Sequence, residues 1–154
     1  MGGPRAASGG VEITVKPIND PPVNHVPDPQ VVKTNSVLSF KDINSNTISV
    51  SDVDAGDNPI SVNLEVGKGT LELTNSASGV TVTGNKTGTI QMTGSIAAIN
   101  SALNGLNYTP TPGYESGDSL KITTNDKGFT GEGGPQIAID TVSINVSPEL
   151  ARIT

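Results

Sequence analysis

Five aspartates carry most of the chemistry this chain can offer. Asp52, Asp54 and Asp57 fall in the run Asp-Val-Asp-Ala-Gly-Asp, Asp20 lies in a proline-rich stretch, and Asp126 opens a glycine-rich one. Carboxylates crowded together repel unless a cation holds them, and an all-oxygen donor set suits Ca2+, which takes about six to eight such ligands. The spacing Asp52-x-Asp54-x-x-Asp57 lets the carboxylates and the carbonyls between them face a single ion. The same run is also turn chemistry, because Asp, Asn and Gly favour tight turns. On these residues alone both readings stand.

Other catalytic or binding chemistry finds little support. His25 is the sole histidine and sits among prolines with no Ser or Cys partner at a useful spacing, so it reads as a solvated linker residue. No cysteine is present, which removes disulfides and thiolate metal sites. Gly131-Glu132-Gly133-Gly134 lacks the strand, helix and Lys of a phosphate loop. No acid–base pair has a credible pocket around it, and an enzyme is not expected. The formal charge of −6, with nine Asp against six Glu, argues against nucleic acid, whose phosphates need clustered Lys and Arg. No apolar run approaches the roughly 20 residues of a membrane span. Tyr108 and Tyr114 stand beside proline turns, where they serve as sugar-stacking faces or as anchors of the fold.

The elements that must position these groups are strands. Of 154 residues, 18 are Gly and 11 are Pro, aromatics make up 3%, and Val and Ile must supply an aliphatic core. That mixture suits short strands and tight turns and is poor for helices. Val31-Val32, Val37–Phe40, Thr47–Ser51, Ile60–Val66, Thr70–Thr74, Gly79–Thr83, Gly88–Met92, Leu106–Thr109, Ser119–Thr124 and Ile137–Val146 all carry strand signals. Ile96, Ile99, Leu103 and Leu106 instead fall at helical spacing, with Thr93 or Ser95 to cap the start and Gly105 to end it. The expected fold is an all-β Greek-key sandwich of about seven strands with one short helix near 95–105.

In such a sandwich the first strand runs away from the proline-rich segment and the second runs back. Asp52 and Asp54 then arrive at the linker pole. The penultimate strand also runs back, so Asp126 arrives there too. Three segments distant in sequence are expected to bring carboxylates to one end.

Val11-Glu12-Ile13-Thr14-Val15-Lys16-Pro17 and Val142-Ser143-Ile144-Asn145-Val146-Ser147-Pro148 share Val, Ile, Val and Pro in register. A strand written twice in this way points to a tandem array. The expected division is a leader or flexible tail over 1–10, the last strand of a preceding repeat plus a proline-rich linker over 11–22, one sandwich over 23–148 and a tail over 149–154.

Asn19-Asp20-Pro21-Pro22-Val23, Asp52-Val53-Asp54, Gly105-Leu106-Asn107-Tyr108-Thr109-Pro110, Gly113-Tyr114 and Gly117-Asp118-Ser119-Leu120 resemble the cadherin-like, Ig-like tandem (extender) repeats of large bacterial surface adhesins of the RTX type. The resemblance covers about residues 11–148. It implies a secreted, cell-surface rod whose repeats are stiffened by Ca2+ at their junctions and hold a distal binding domain away from the cell. Asp20, Asp52 and Asp54 are the ligands it implies, and Asp57 and Asp126 join them on the topological argument. Glu115 and Asp118 would lie at the opposite pole, where the next linker contributes. The partners implied are neighbouring repeats. The alternatives are a carbohydrate-binding module or homotypic adhesion between copies. After Val146 the chain departs from the pattern, since Ser147-Pro148-Glu149 lacks the Asn-Asp-Pro of a second junction.

Overall fold

The computed structural model describes residues 20–53, 55, 58–75, 78–128 and 134–148. The strand expected over Val11–Val15 lies outside them, as do Asp54 and Asp57. Among these residues eleven strands and one α-helix follow in order, with a single 3-10 turn (Asp42–Asn44) between the third and fourth strands: β1 (Val23–His25), β2 (Gln30–Lys33), β3 (Leu38–Phe40), β4 (Ser49–Ser51), β5 (Ile60–Val66), β6 (Gly69–Glu72), β7 (Val80–Thr83), β8 (Thr89–Gly94), α1 (Ile96–Leu103), β9 (Leu106–Pro110), β10 (Gly117–Asn125) and β11 (Ile137–Ser147). The chain is an all-β sandwich. One sheet runs β2-β11-β10-β5-β8-β7, faced by β3-β9-β6 and by the pair β1-β4.

Alternation explains which side of each strand faces inward. In β5 the residues Ile60, Val62, Leu64 and Val66 are buried, while Ser61, Asn63 and Glu65 are not. β10 repeats the pattern with Leu120, Ile122 and Thr124, and β11 with Val142, Ile144 and Val146. A period of two puts one set on the core face of a pleated strand and the other in water. Together with Phe40, Leu71, Ile90 and Met92 they form one aliphatic core.

Two crossings between the sheets give the Greek-key character. β5 pairs with β10, and the strands next to them in sequence, β6 and β9, pair in the opposite sheet. The β5–β6 crossing is tight. A Cβ on Gly69 would stand 2.5 Å from the Thr109 carbonyl and 2.7 Å from the Tyr108 ring, so a side chain does not fit there.

The helix closes one side of the smaller layer. Ser95 is extended and its hydroxyl accepts from the Ala98 amide, which satisfies one orphan donor of the first turn. Ile99, Ala102 and Leu103 face the core. The cap at the other end is Asn104, followed by Gly105 at φ 105°. On the outer side Asn100 reaches β4: its amide donates to the Val50 carbonyl at 2.9 Å and accepts from the Val50 amide at 2.8 Å. One side chain thus reproduces the two hydrogen bonds of a strand neighbour.

Leu64→Ala is expected to cost about 2–5 kcal/mol and Ser95→Ala about 1 kcal/mol in urea unfolding with unchanged m-values. A Leu64→Ala cost below about 1 kcal/mol would contradict its place at the centre of the sandwich.

Candidate functional site

The linker pole is built from β1 outward. Val23 pairs with Ser51 and His25 with Ser49, so Asp52 follows β4 at the end of β1 where the chain comes in. The Asn24 side chain, 9% exposed, faces the opposite way. Its amide donates to the Ala138 carbonyl and to Asp140 Oδ2, each at 3.1 Å, and its oxygen accepts from the Thr124 hydroxyl at 2.6 Å. This clasp lays β1 across the end of β10 and the start of β11, where Asp126 follows. Asp52, just after β4, and Asp126, just after β10, therefore lie toward the end of the sandwich at which the chain enters β1.

Their surroundings differ. Asp20 is exposed, and Asp52 is half-buried. Asp126 is 3% exposed. Its Oδ1 accepts from the amides of Gly128 at 2.9 Å and Gln136 at 2.8 Å, and its own amide donates to the Gln136 carbonyl. Lys127 and Gly128 both take positive φ values, 63° and 72°, and the carboxylate ties this start of the loop to Gln136 at its far side. Among the described residues no three acidic or histidine side chains come together in a group able to hold a metal ion. His25, also at this pole, is exposed and pairs through Nε2 with the Ser51 hydroxyl at 3.0 Å.

At the far pole Glu115 is exposed in the β9–β10 loop, and Asp118 lies in β10. The Asp118 carboxylate is engaged on all sides. Oδ1 accepts from Gly67 and Ser119 amides at 3.0 and 2.7 Å, and Oδ2 accepts from the Lys68 amide at 2.9 Å and the Tyr108 hydroxyl at 2.7 Å. It clamps the β5–β6 turn to β9. Tyr108 is fully buried and acts as an anchor. Tyr114 is half-buried and its hydroxyl donates to the Gly117 carbonyl. Burial, then the hydrogen bond and charge of Asp118, push the Tyr108 phenol well above its ordinary value near 10.

Sequence reading missed Asn24 as a positioning residue and assigned Asp118 no structural task. The signal for Asn24 was slight: a polar residue placed at the inward position of a three-residue strand.

No protein-family model and no curated protein matches this chain. Among solved structures it is similar to a nucleoside hydrolase-related hypothetical protein from Saccharophagus degradans that is associated with carbohydrate metabolism, at 16% identity and a TM-score of 0.35. The similarity covers 84% of this chain and 26% of that protein, so the chain spans about a quarter of its length. A likeness this loose says nothing about chemistry.

The Tyr108 shift has a defined sign. The folded-state value lies above the unfolded one, so this stabilising contribution is complete below about pH 10 and declines as pH rises from there toward the folded-state value. Tyr108→Phe is expected to lose about 1–3 kcal/mol at neutral pH and to show a smaller further loss between pH 9 and 11 than the wild type. Equal alkaline slopes for the two proteins would show that the Asp118 contact is not holding the phenol.

Proposed function

We propose that this sandwich is a structural spacer repeat of a secreted bacterial surface adhesin, stiffened by Ca2+ at the linker pole. The observation that carries the reading is the direction of the first and last strands. The incoming segment lies against Ala138 and Asp140 through Asn24, and β2 then runs parallel to β11 from Gln30↔Ile144 to Lys33↔Ser147. The chain therefore comes in beside the start of β11 and leaves from its end. Ten residue steps at about 3.3 Å separate these points by roughly 33 Å. A unit with its two connections at opposite poles adds to the length of an array, whereas connections at one pole would fold the array back.

The donor chemistry at the linker pole is of the type a hard cation takes. Asp20, Asp52 and Asp126 supply carboxylates from three segments. In this reading Asp54 and Asp57, outside the described residues, complete the set with carbonyls of the same loop. The ion would offset the repulsion among these groups and restrain the angle between the linker and the sandwich. Carbohydrate binding through Tyr108 or Tyr114 has weaker support, because one ring is buried and the other hydroxyl is engaged within the fold.

Thermal unfolding in EDTA and in millimolar CaCl2 tests the ion. A ligand at about a hundred times its Kd adds roughly 2.7 kcal/mol, which corresponds to a rise in Tm of about 10 °C for a domain of this size. The rise is expected to vanish in Asp52→Asn/Asp54→Asn, a pair that leaves the Asp126 turn intact. An equal rise in that variant, or none in the wild type, would remove calcium from the proposal. Spacer geometry is tested separately by small-angle scattering of two copies joined in tandem. The expected maximum dimension is about twice that of one copy, and a compact pair would exclude an extender.

A further inference from the structure

The end of α1 carries a chemically labile pair. Asn104-Gly105 is the one Asn-Gly of the chain. In such a pair the backbone nitrogen of the glycine can attack the carbonyl carbon of the asparagine side chain, because no Cβ on the second residue hinders the approach. A C–N bond forms, and the side-chain nitrogen leaves as ammonia with the proton given up by the glycine nitrogen. The five-membered imide then takes up water at either carbonyl. Aspartate or isoaspartate replaces the asparagine.

The fold uses both residues. Gly105 takes φ 105°, and a Cβ there would stand 3.0 Å from the Thr74 hydroxyl oxygen. Asn104 caps α1 and reaches Asp42 in the 3-10 turn: its Oδ1 accepts from the Asp42 amide at 3.0 Å, and its Nδ2 donates to Asp42 Oδ2 at 3.2 Å. The Thr47 hydroxyl donates to the other Asp42 oxygen at 2.5 Å. These contacts also keep the reacting groups apart. The Gly105 amide donates to the Phe40 carbonyl at 2.8 Å, so the proton that must leave is already engaged. The Gly105 carbonyl accepts from the Thr74 hydroxyl at 2.9 Å, and the Asn104 carbonyl accepts from the Asn75 side-chain amide. Attack needs the Asn104 side chain released from Asp42 and the Gly105 amide released from Phe40. Water has access, because shallow clefts flank Asn104, one beside Thr74 and Asn75 and the other beside Thr47 and Ser101.

We propose that Asn104 is a deamidation site gated by the contacts that hold the end of α1, those made by Phe40, Asp42 and Thr74. While they are in place the site is shut. Each local opening of this corner frees the two reacting groups, so the modification accumulates in proportion to the opened fraction. The change is also one-way. Aspartate at this position sets its carboxylate against that of Asp42, where an amide had donated, and places negative charge at a helix C-terminus. Isoaspartate further lengthens the main chain by one carbon. The corner therefore does not close on the product as it closes on Asn104. The inference needs no metal ion and stands apart from the spacer reading.

Incubation of the full chain at mildly alkaline pH, with peptide mass mapping of Asn104 over time, tests it. The folded wild type is expected to deamidate there about tenfold or more slowly than the same chain in urea. Asp42→Ala and Thr74→Val each remove one tie from an exposed position and are expected to speed the reaction in the folded protein about two- to tenfold. Circular dichroism establishes that each variant is folded, and two are used so that either can decide. Equal rates for the folded and urea-unfolded wild type overturn the gating, as do wild-type rates in the folded variants. Asn104→Asp is expected to melt several degrees below the wild type. Equal melting would overturn the one-way step.

Discussion

Asn24 bonds to three partners on two strands while belonging to a third. Its amide serves Ala138 and Asp140, and its oxygen serves Thr124. Each bond lies out of bulk water, so removing the Asn24 amide leaves buried groups without partners at about 1–3 kcal/mol. With this clasp in place β1 crosses the start of β11, β4 returns along β1, and Asp52 arrives at the pole where Asp126 ends β10. The inlet of the unit is tied to the start of β11 by that amide.

The same chemistry recurs on a smaller scale. The fold is aliphatic inside and short of aromatics, yet many of its backbone edges are closed by asparagines. Asn100 on β4, Asn44 and Asn46 on β3, and Asn85 beside β6 supply donors and acceptors that a neighbouring strand would otherwise provide. Buried or edge backbone groups need partners, and a side-chain amide offers both kinds at once. Asp118 and Asp126 perform the corresponding task at loops, the first accepting from the successive amides of Gly67 and Lys68 and the second from those of Gly128 and Gln136.

Alternation along β5, β10 and β11 was legible in the sequence because the period of two is a local property. So was the helix, since Ile96, Ile99 and Leu103 recur at its own period and Ser95 announces its start. β1 was less so: three residues between prolines carry almost no periodic signal, and Val23–His25 becomes a strand through its pairing with β4. The places of Asp52 just after β4 and of Asp126 just after β10 followed from the strand pattern alone. Which carboxylates were already committed did not, because Asp118 looks the same in sequence whether it faces solvent or four hydrogen-bond donors.

The sequence by itself determined that this chain is built of strands with an aliphatic core and where its helix begins. These depend on residues a few positions apart. Tertiary structure decided that Tyr108 is an anchor held by Asp118 and that Asn24 lays β1 across β10 and β11. Each of those rests on groups some 10 to 116 residues apart, brought within hydrogen-bond distance by the packing of the sheets.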